Sequence, residues 1–194
     1  MRVHETTICG TDLHFLKGDV PEATDGRIPG HEGIGVIEEV SSAVANFKVG
    51  ERMLIFCISS CGKCSSCRKG MHSHYEPGGW ILGHMIDSIQ AEDVQIPFAD
   101  TSLYAITDNV DEDAVVMLSD IMPTGFEWGV LNGQVQPGDA VVIVGTGPIG
   151  LAVLLTAHFY TPATITWWTW TTTACSWPRP WAQPIPSTAS GNTL

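Results

Sequence analysis

Cys61, Cys64 and Cys67 stand in one run, CGKCSSC, and overlapping CxxC pairs of this kind present several thiolates to a single metal ion. The signal points strongly to zinc. A second set of metal-compatible side chains is scattered along the chain: Cys9 in ICGTDLH, His31 in GHEGIG with Glu32 beside it, and Asp120 in LSDIMPTGFE. A thiolate, an imidazole and a carboxylate that leave a fourth position open make a catalytic zinc site rather than a closed structural one. Taken one at a time these residues carry little weight, since a lone Cys or His is more often a core or surface residue than a ligand. A third pattern, GTGPIG, matches GxGxxG at Gly145, Gly147 and Gly150, with Pro148 and Ile149 inside it. Such glycines allow a tight turn, close approach of a pyrophosphate and packing of helix on strand, the phosphate meeting the helix N-terminus.

The elements that must position these residues follow from apolar spacing. Over residues 3–106, short apolar runs (GIGVIEEV, GERMLIFCI, EDVQIPF) alternate with Gly, Pro, Asn and Asp, which predicts a β-rich domain of short strands. One early helix is expected, N-capped near Thr11 or Asp12, running through LHFLK and stopped by Gly18. From Asp111 the spacing in DEDAVVMLSDIMPTGFEWGVL becomes helical, with an interruption at Pro123. QPGD then turns the chain into the strand AVVIVG, and LAVLLTAHF after the glycines reads as a buried helix. Residues 140–160 have about the length and apolarity of a membrane span, but the three glycines and the proline within GTGPIG fit a strand, a turn and a helix instead.

The 194-residue chain is 44% hydrophobic, enough for a sizeable core, and its formal charge is −12. That charge argues against nucleic acid and anionic membranes, whose recognition needs basic patches, and favours a small neutral substrate. The opening MRVHETTICG is polar and carries an early cysteine, so no secretory leader is indicated and a cytoplasmic, reducing setting is expected. There, six cysteines are metal ligands or free thiols rather than disulfides, with Cys57 expected to pack as a small apolar side chain.

The segments TTICGTDLHFLKGDVP, GHEGIGVIEEV, CGKCSSCRKG, GGWILGH and SDIMPTGFEWGVLNG, in this order, resemble the zinc-dependent medium-chain alcohol dehydrogenases. The resemblance covers residues 3–165. It implies a β-rich GroES-like catalytic domain (α+β), residues 1–118, followed by an incomplete α/β Rossmann cofactor domain that starts over residues 119–165. The implied reaction is hydride transfer between an alcohol and an aldehyde or ketone, with NAD or NADP as cofactor. A zinc ion on Cys9, His31 and Asp120 would polarise the substrate oxygen, with Glu32 as a supporting or exchanging ligand, its plainer alternative being a solvated carboxylate. Thr11 and His14 would pass the alcohol proton to solvent, the plainer alternative being helix capping by Thr11 and a surface His14. Gly145, Gly147, Pro148, Ile149 and Gly150 would receive the cofactor. In the family a fourth cysteine follows CGKCSSC eight residues on; here that position is Tyr75, which puts the structural zinc in doubt unless His72, His74 or Glu76 takes the place. Family members are homo-oligomers. Two other readings stand beside this one: a non-catalytic zinc-binding remnant without a usable cofactor site, and a redox or zinc-storage protein built on the three cysteines.

A dinucleotide-binding unit also needs an acidic residue at the end of its second strand, and no Asp or Glu follows Asp139. The composition past Thr161 turns instead to Trp, Thr, Pro and Ser. Regrouping codons for the run after Ile165 by one nucleotide permits Met-Val-Asp-Leu-Asp-Asp-Asn-Arg-Leu, which resembles the family's continuation. A nucleotide lost near Ile165 is the expectation, leaving one strand, one turn and one helix of the cofactor domain and an aberrant, disordered tail over residues 166–194. The N-terminus is read as truncated on the same resemblance.

Overall fold

The computed structural model describes residues 1–169, which fall into two compact units, one of Met1–Asp120 and one that begins at Ile121. In the first, four short strands pair antiparallel in chain order: β1 (Arg2–Thr6), β2 (Gly33–Val36), β3 (Arg52–Ile55) and β4 (Leu103–Ala105). The two central strands, β2 and β3, are buried on both faces. Met53, Ile55 and Leu103 pack with Ile37, Leu82, Ile89 and Val94, while Ile34 and Leu54 pack with Val116. Two-sided burial is why these strands read as continuous apolar runs rather than as alternating ones. Gly33 and Gly35 let β1 approach β2: a Cβ on either would stand 2.7 Å from the Glu5 carbonyl and 2.5 Å from the Arg2 carbonyl, respectively.

The third expected strand, EDVQIPF, is not one. It contributes a single bridge, Asp93 to Arg2, plus hydrogen bonds between Val94 and Met1, before Pro97 removes a donor and Phe98 turns left-handed at φ 52°. Helix α1 (Gly10–Lys17) ends on Gly18 at φ 75°, as expected, but its N-cap is Cys9 rather than Thr11 or Asp12. The one-turn helix α2 (Ala99–Ser102) precedes β4, and α3 (Glu112–Val115) continues through a 3₁₀ turn, Val116–Ser119, to Asp120.

The second unit opens with α4 (Ile121–Thr124), which widens into a π-type turn, Gly125–Leu131. Pro123 sits in the first turn, where a missing N–H breaks no intrahelical bond, so the interruption falls at Asp120 (φ −150°, ψ −58°) and not at the proline. Strand β5 (Ala140–Val144), helix α5 (Pro148–Ala157) and strand β6 (Thr164–Trp168) form a β-α-β unit, with β6 parallel to β5 from Ala140↔Thr164 to Val144↔Trp168. Ile143, Val153, Leu154, Ala157 and Ile165 make its core with Val130 and Val135. Thr166, Trp167 and Trp168, assigned from sequence to the tail, therefore complete a second strand. They are β-branched or aromatic, suit a pleated surface, and Trp167 packs against the core. The rest of the tail, residues 170–194, lies outside the described residues. No helix among the described residues is long and apolar enough to cross a membrane.

Candidate functional site

Three separate segments of the first unit bring metal-compatible atoms together. Cys9 is fixed at the head of α1 by Asp12, whose Oδ2 accepts from the Cys9 N–H at 2.8 Å and which is itself buried. His31 and Glu32 immediately precede β2, a position that the pairing of Gly33 with Thr6 and Ile55 holds in place. Asp120 follows the 3₁₀ turn, and Ser119 ties that turn down: its Oγ accepts from the Gly33 N–H at 3.2 Å and its carbonyl from the Cys57 N–H at 3.1 Å. Nothing in the sequence singles out Ser119, and Asp12 is marked there only as a candidate helix cap. Both are ordinary polar residues whose burial only the fold reveals.

The ligand atoms of Cys9, His31, Glu32 and Asp120 all lie within 4.8 Å of one another. His31 Nε2 stands 3.3 Å from Asp120 Oδ2 and 3.7 Å from Glu32 Oε1. His31 is 3% and Glu32 1% exposed, so Glu32 is not a solvated carboxylate. The Thr7 hydroxyl donates to Glu32 Oε2, and the Thr6 hydroxyl donates to the Glu32 carbonyl at 3.0 Å. His31 Nδ1 and Glu32 Oε1 are buried without a hydrogen-bond partner, which is costly unless something charged completes the site. Burial pulls the His31 pKa down, yet hydrogen bonds to Asp120 and Cys9 outweigh it and raise the value to about 10. Without a metal the cluster thus holds a proton as its cation. A sulfur, a nitrogen and carboxylate oxygens at this spacing match the donors zinc takes, so the residues present fit the ion.

The neighbours differ in how they stand to this cluster. Thr11 Oγ1 lies 3.8 Å from Cys9 Sγ, beside the metal-compatible atoms. His14 is exposed and its Nδ1 meets Asp19 Oδ2 at 2.8 Å, with no hydrogen bond to Thr11. Helix capping belongs to Cys9 and Asp12, not to Thr11. Cys57 is buried, and burial foremost, then the charge of Asp120, pushes its thiol far above the ordinary range, which leaves it an unreactive packing group.

The three cysteines of CGKCSSC also converge. Cys64 Sγ is 3.4 Å and Cys61 Sγ 4.0 Å from Cys67 Sγ, and the Cys61 sulfur accepts from the backbone N–H groups of Lys63 and Cys64 at 3.4 Å. The Cys64 thiol is lowered to about 7, first by the Cys67 backbone N–H and next by the Cys67 side chain. Tyr75 stands near all three, its phenol raised first by burial and then by the charges of Cys61, Cys64 and Cys67, and its ring is packed edge-on against Phe98. His72, His74 and Glu76 do not join the group.

In the second unit, Gly145 adopts φ 96°, a conformation few side chains tolerate, and its N–H donates to the Trp168 carbonyl at 2.7 Å. Gly147 caps α5, Pro148 is its first residue, and a Cβ on Gly150 would fall 2.0 Å from the Gly145 carbonyl oxygen. The helix thus begins hard against the turn, with Ile149 41% exposed beside it. This is the strand, glycine turn and helix that the GTGPIG spacing called for.

Residues 1–108 match the Alcohol dehydrogenase GroES-like domain family. The chain is 38% identical to an alcohol dehydrogenase of Cupriavidus necator, over 85% of this chain and 49% of that protein. Among solved structures it is similar to zinc dependent alcohol dehydrogenase 2 from Streptococcus pneumonia in its apo form, with 52% identity, a TM-score of 0.80, and coverage of 86% of this chain and 47% of that one. It is also similar to the alcohol dehydrogenase of Thermus sp. ATN1, with 30% identity, a TM-score of 0.83, and coverage of 95% and 54%. The chain spans about half the length of the curated relatives it matches.

Proposed function

Because this chain belongs to the zinc-dependent medium-chain alcohol dehydrogenase family, we propose that it carries the catalytic zinc centre of an oxidoreductase acting between a small alcohol and its aldehyde or ketone. The cluster of Cys9, His31, Glu32 and Asp120 carries this reading, since the buried Glu32 carboxylate, with the part-exposed Asp120 carboxylate and Cys9 thiol beside it, calls for a cation. Cys9, His31 and Asp120 would hold zinc, and when bound the ion supplies Lewis-acid polarisation of the substrate oxygen. Glu32, fixed through Thr7, stands close enough to His31 to exchange with a ligand. Thr11, beside Cys9 Sγ, would take the alcohol proton, and His14, paired with Asp19 at the surface, would pass it to solvent.

We further propose that the β5-α5-β6 unit is the opening of a Rossmann cofactor domain and that the turn of Gly145, Gly147, Pro148, Ile149 and Gly150 meets the pyrophosphate of NAD or NADP. The open N-terminus of α5 and the room left by the glycines support this. Metal analysis of the purified chain tests the first part: a Cys9→Ser chain should hold one zinc fewer than the wild type, and an unchanged content refutes the centre. Titration with NADH and NADPH followed by nicotinamide fluorescence tests the second. Saturable binding supports the oxidoreductase, whereas zinc retention without any cofactor binding leaves a non-catalytic zinc-binding remnant.

A further inference from the structure

The thiol trio differs from the cluster at Cys9 in one decisive respect: among the described residues it has three sulfurs and no further donor. Among the described residues no His, Asp or Glu atom lies within 4.8 Å of all three. The nearby imidazoles are engaged elsewhere, His72 Nδ1 with Ser60 Oγ at 2.7 Å and His74 Nδ1 with Ser73 Oγ at 3.1 Å. Tyr75, near enough to feel the charges of all three cysteines, has its ring held at 76° to Phe98 with centroids 5.5 Å apart. A structural zinc ion is closed by four nitrogen or sulfur donors, so this donor set does not fit one.

We propose that Cys61, Cys64 and Cys67 form a three-sulfur site for a soft, low-coordinate metal ion, with cuprous copper as the ion it takes in preference to zinc. Three sulfurs about 2.3 Å from a shared centre in one plane stand about 4 Å apart. The observed separations of 3.4 and 4.0 Å from Cys67 bring all three within reach of one ion without movement of the backbone. The N–H groups of Lys63 and Cys64 donate to Cys61 Sγ and aim it inward. Thiolates select soft ions, and an ion content with three ligands loses nothing for want of a fourth donor, whereas zinc must complete its shell with water. The segment keeps the trio accessible, since Cys61 and Cys64 are only partly buried.

The test uses the full chain, reduced and freed of metal under anaerobic conditions, titrated with cuprous ion in the presence of a coloured cuprous chelator. The wild type should withdraw one copper per chain from the chelator, and an equal concentration of zinc should not displace it. X-ray absorption at the copper edge should count three sulfur neighbours. Cys64→Ser should weaken copper binding by more than about 100-fold, beyond the 10–100-fold that losing a supporting partner costs a metal site. Cys9→Ser should leave copper binding unchanged, which separates this site from the proposed catalytic centre. Tyr75→Cys, by adding a fourth sulfur, should raise zinc affinity and so narrow the preference. Zinc displacing copper from the wild type, two or four sulfur neighbours, or undiminished binding by Cys64→Ser would each overturn the assignment. Should Cys64→Ser fail to fold, zinc competition and X-ray absorption on the wild type still decide.

Discussion

Metal uptake at the Cys9 cluster should depend steeply on pH, because the metal must evict a proton held there. In the metal-free chain, burial acts to lower the His31 pKa, but Asp120 and Cys9 raise it to about 10, so the ring is an imidazolium at neutral pH. At pH 7 the solution stands about three pH units below that value, and displacing the proton costs a factor of about 1000 in affinity, or about 4 kcal/mol. Affinity for zinc should therefore rise about tenfold per pH unit between about pH 7 and pH 9. The stability of the metal-free chain should move the other way. A group whose folded pKa is raised contributes stability fully below its unfolded value, about 6.5, and loses it as the pH climbs through about 10. Competition against a coloured zinc chelator measures the first trend and urea unfolding of the metal-free chain the second. Asp120→Asn removes the largest of the effects that raise the His31 pKa, so it should flatten the stability decline. A zinc affinity independent of pH, or an Asp120→Asn chain with the wild-type stability profile, refutes the reasoning.

Three further outcomes follow from single contacts. Asp12→Ala removes the carboxylate that holds the Cys9 N–H, so urea unfolding should show a loss of about 1 kcal/mol together with weaker zinc retention. Thr7→Val leaves Glu32 Oε2 without its donor in a buried site, which should cost about 1–3 kcal/mol in the same assay. Gly150→Ala would drive a methyl to 2.0 Å from the Gly145 carbonyl oxygen, and because a backbone atom cannot step aside, the β5-α5-β6 unit should lose about 2 kcal/mol or more and any cofactor affinity with it. Wild-type unfolding and cofactor titration curves for that variant would contradict the close packing of turn and helix.

The chemistry of this chain was legible wherever one segment carried the whole signal. CGKCSSC announced its thiol trio, GTGPIG announced a strand, turn and helix, and Gly18 announced the end of α1, because each depends on neighbours in sequence. Pro123 and EDVQIPF misled for a related reason: a proline in a first turn is harmless, and an apolar run becomes a strand only when a partner edge is offered along its length. Trp167 looked unfit for a domain, yet aromatic residues pack well where a parallel neighbour such as β5 waits.

What the sequence determined, then, was which residue types are available and which short motifs they form. Only the tertiary structure decided that Cys9, His31, Glu32 and Asp120, spread over more than a hundred positions, converge around the buried His31 and Glu32, and that Asp12, Ser119 and Thr7 hold them there. The reason is physical: local spacing fixes backbone geometry within a turn or two, whereas burial, and with it the raised His31 pKa and the demand for a cation, arises only when distant segments exclude water together.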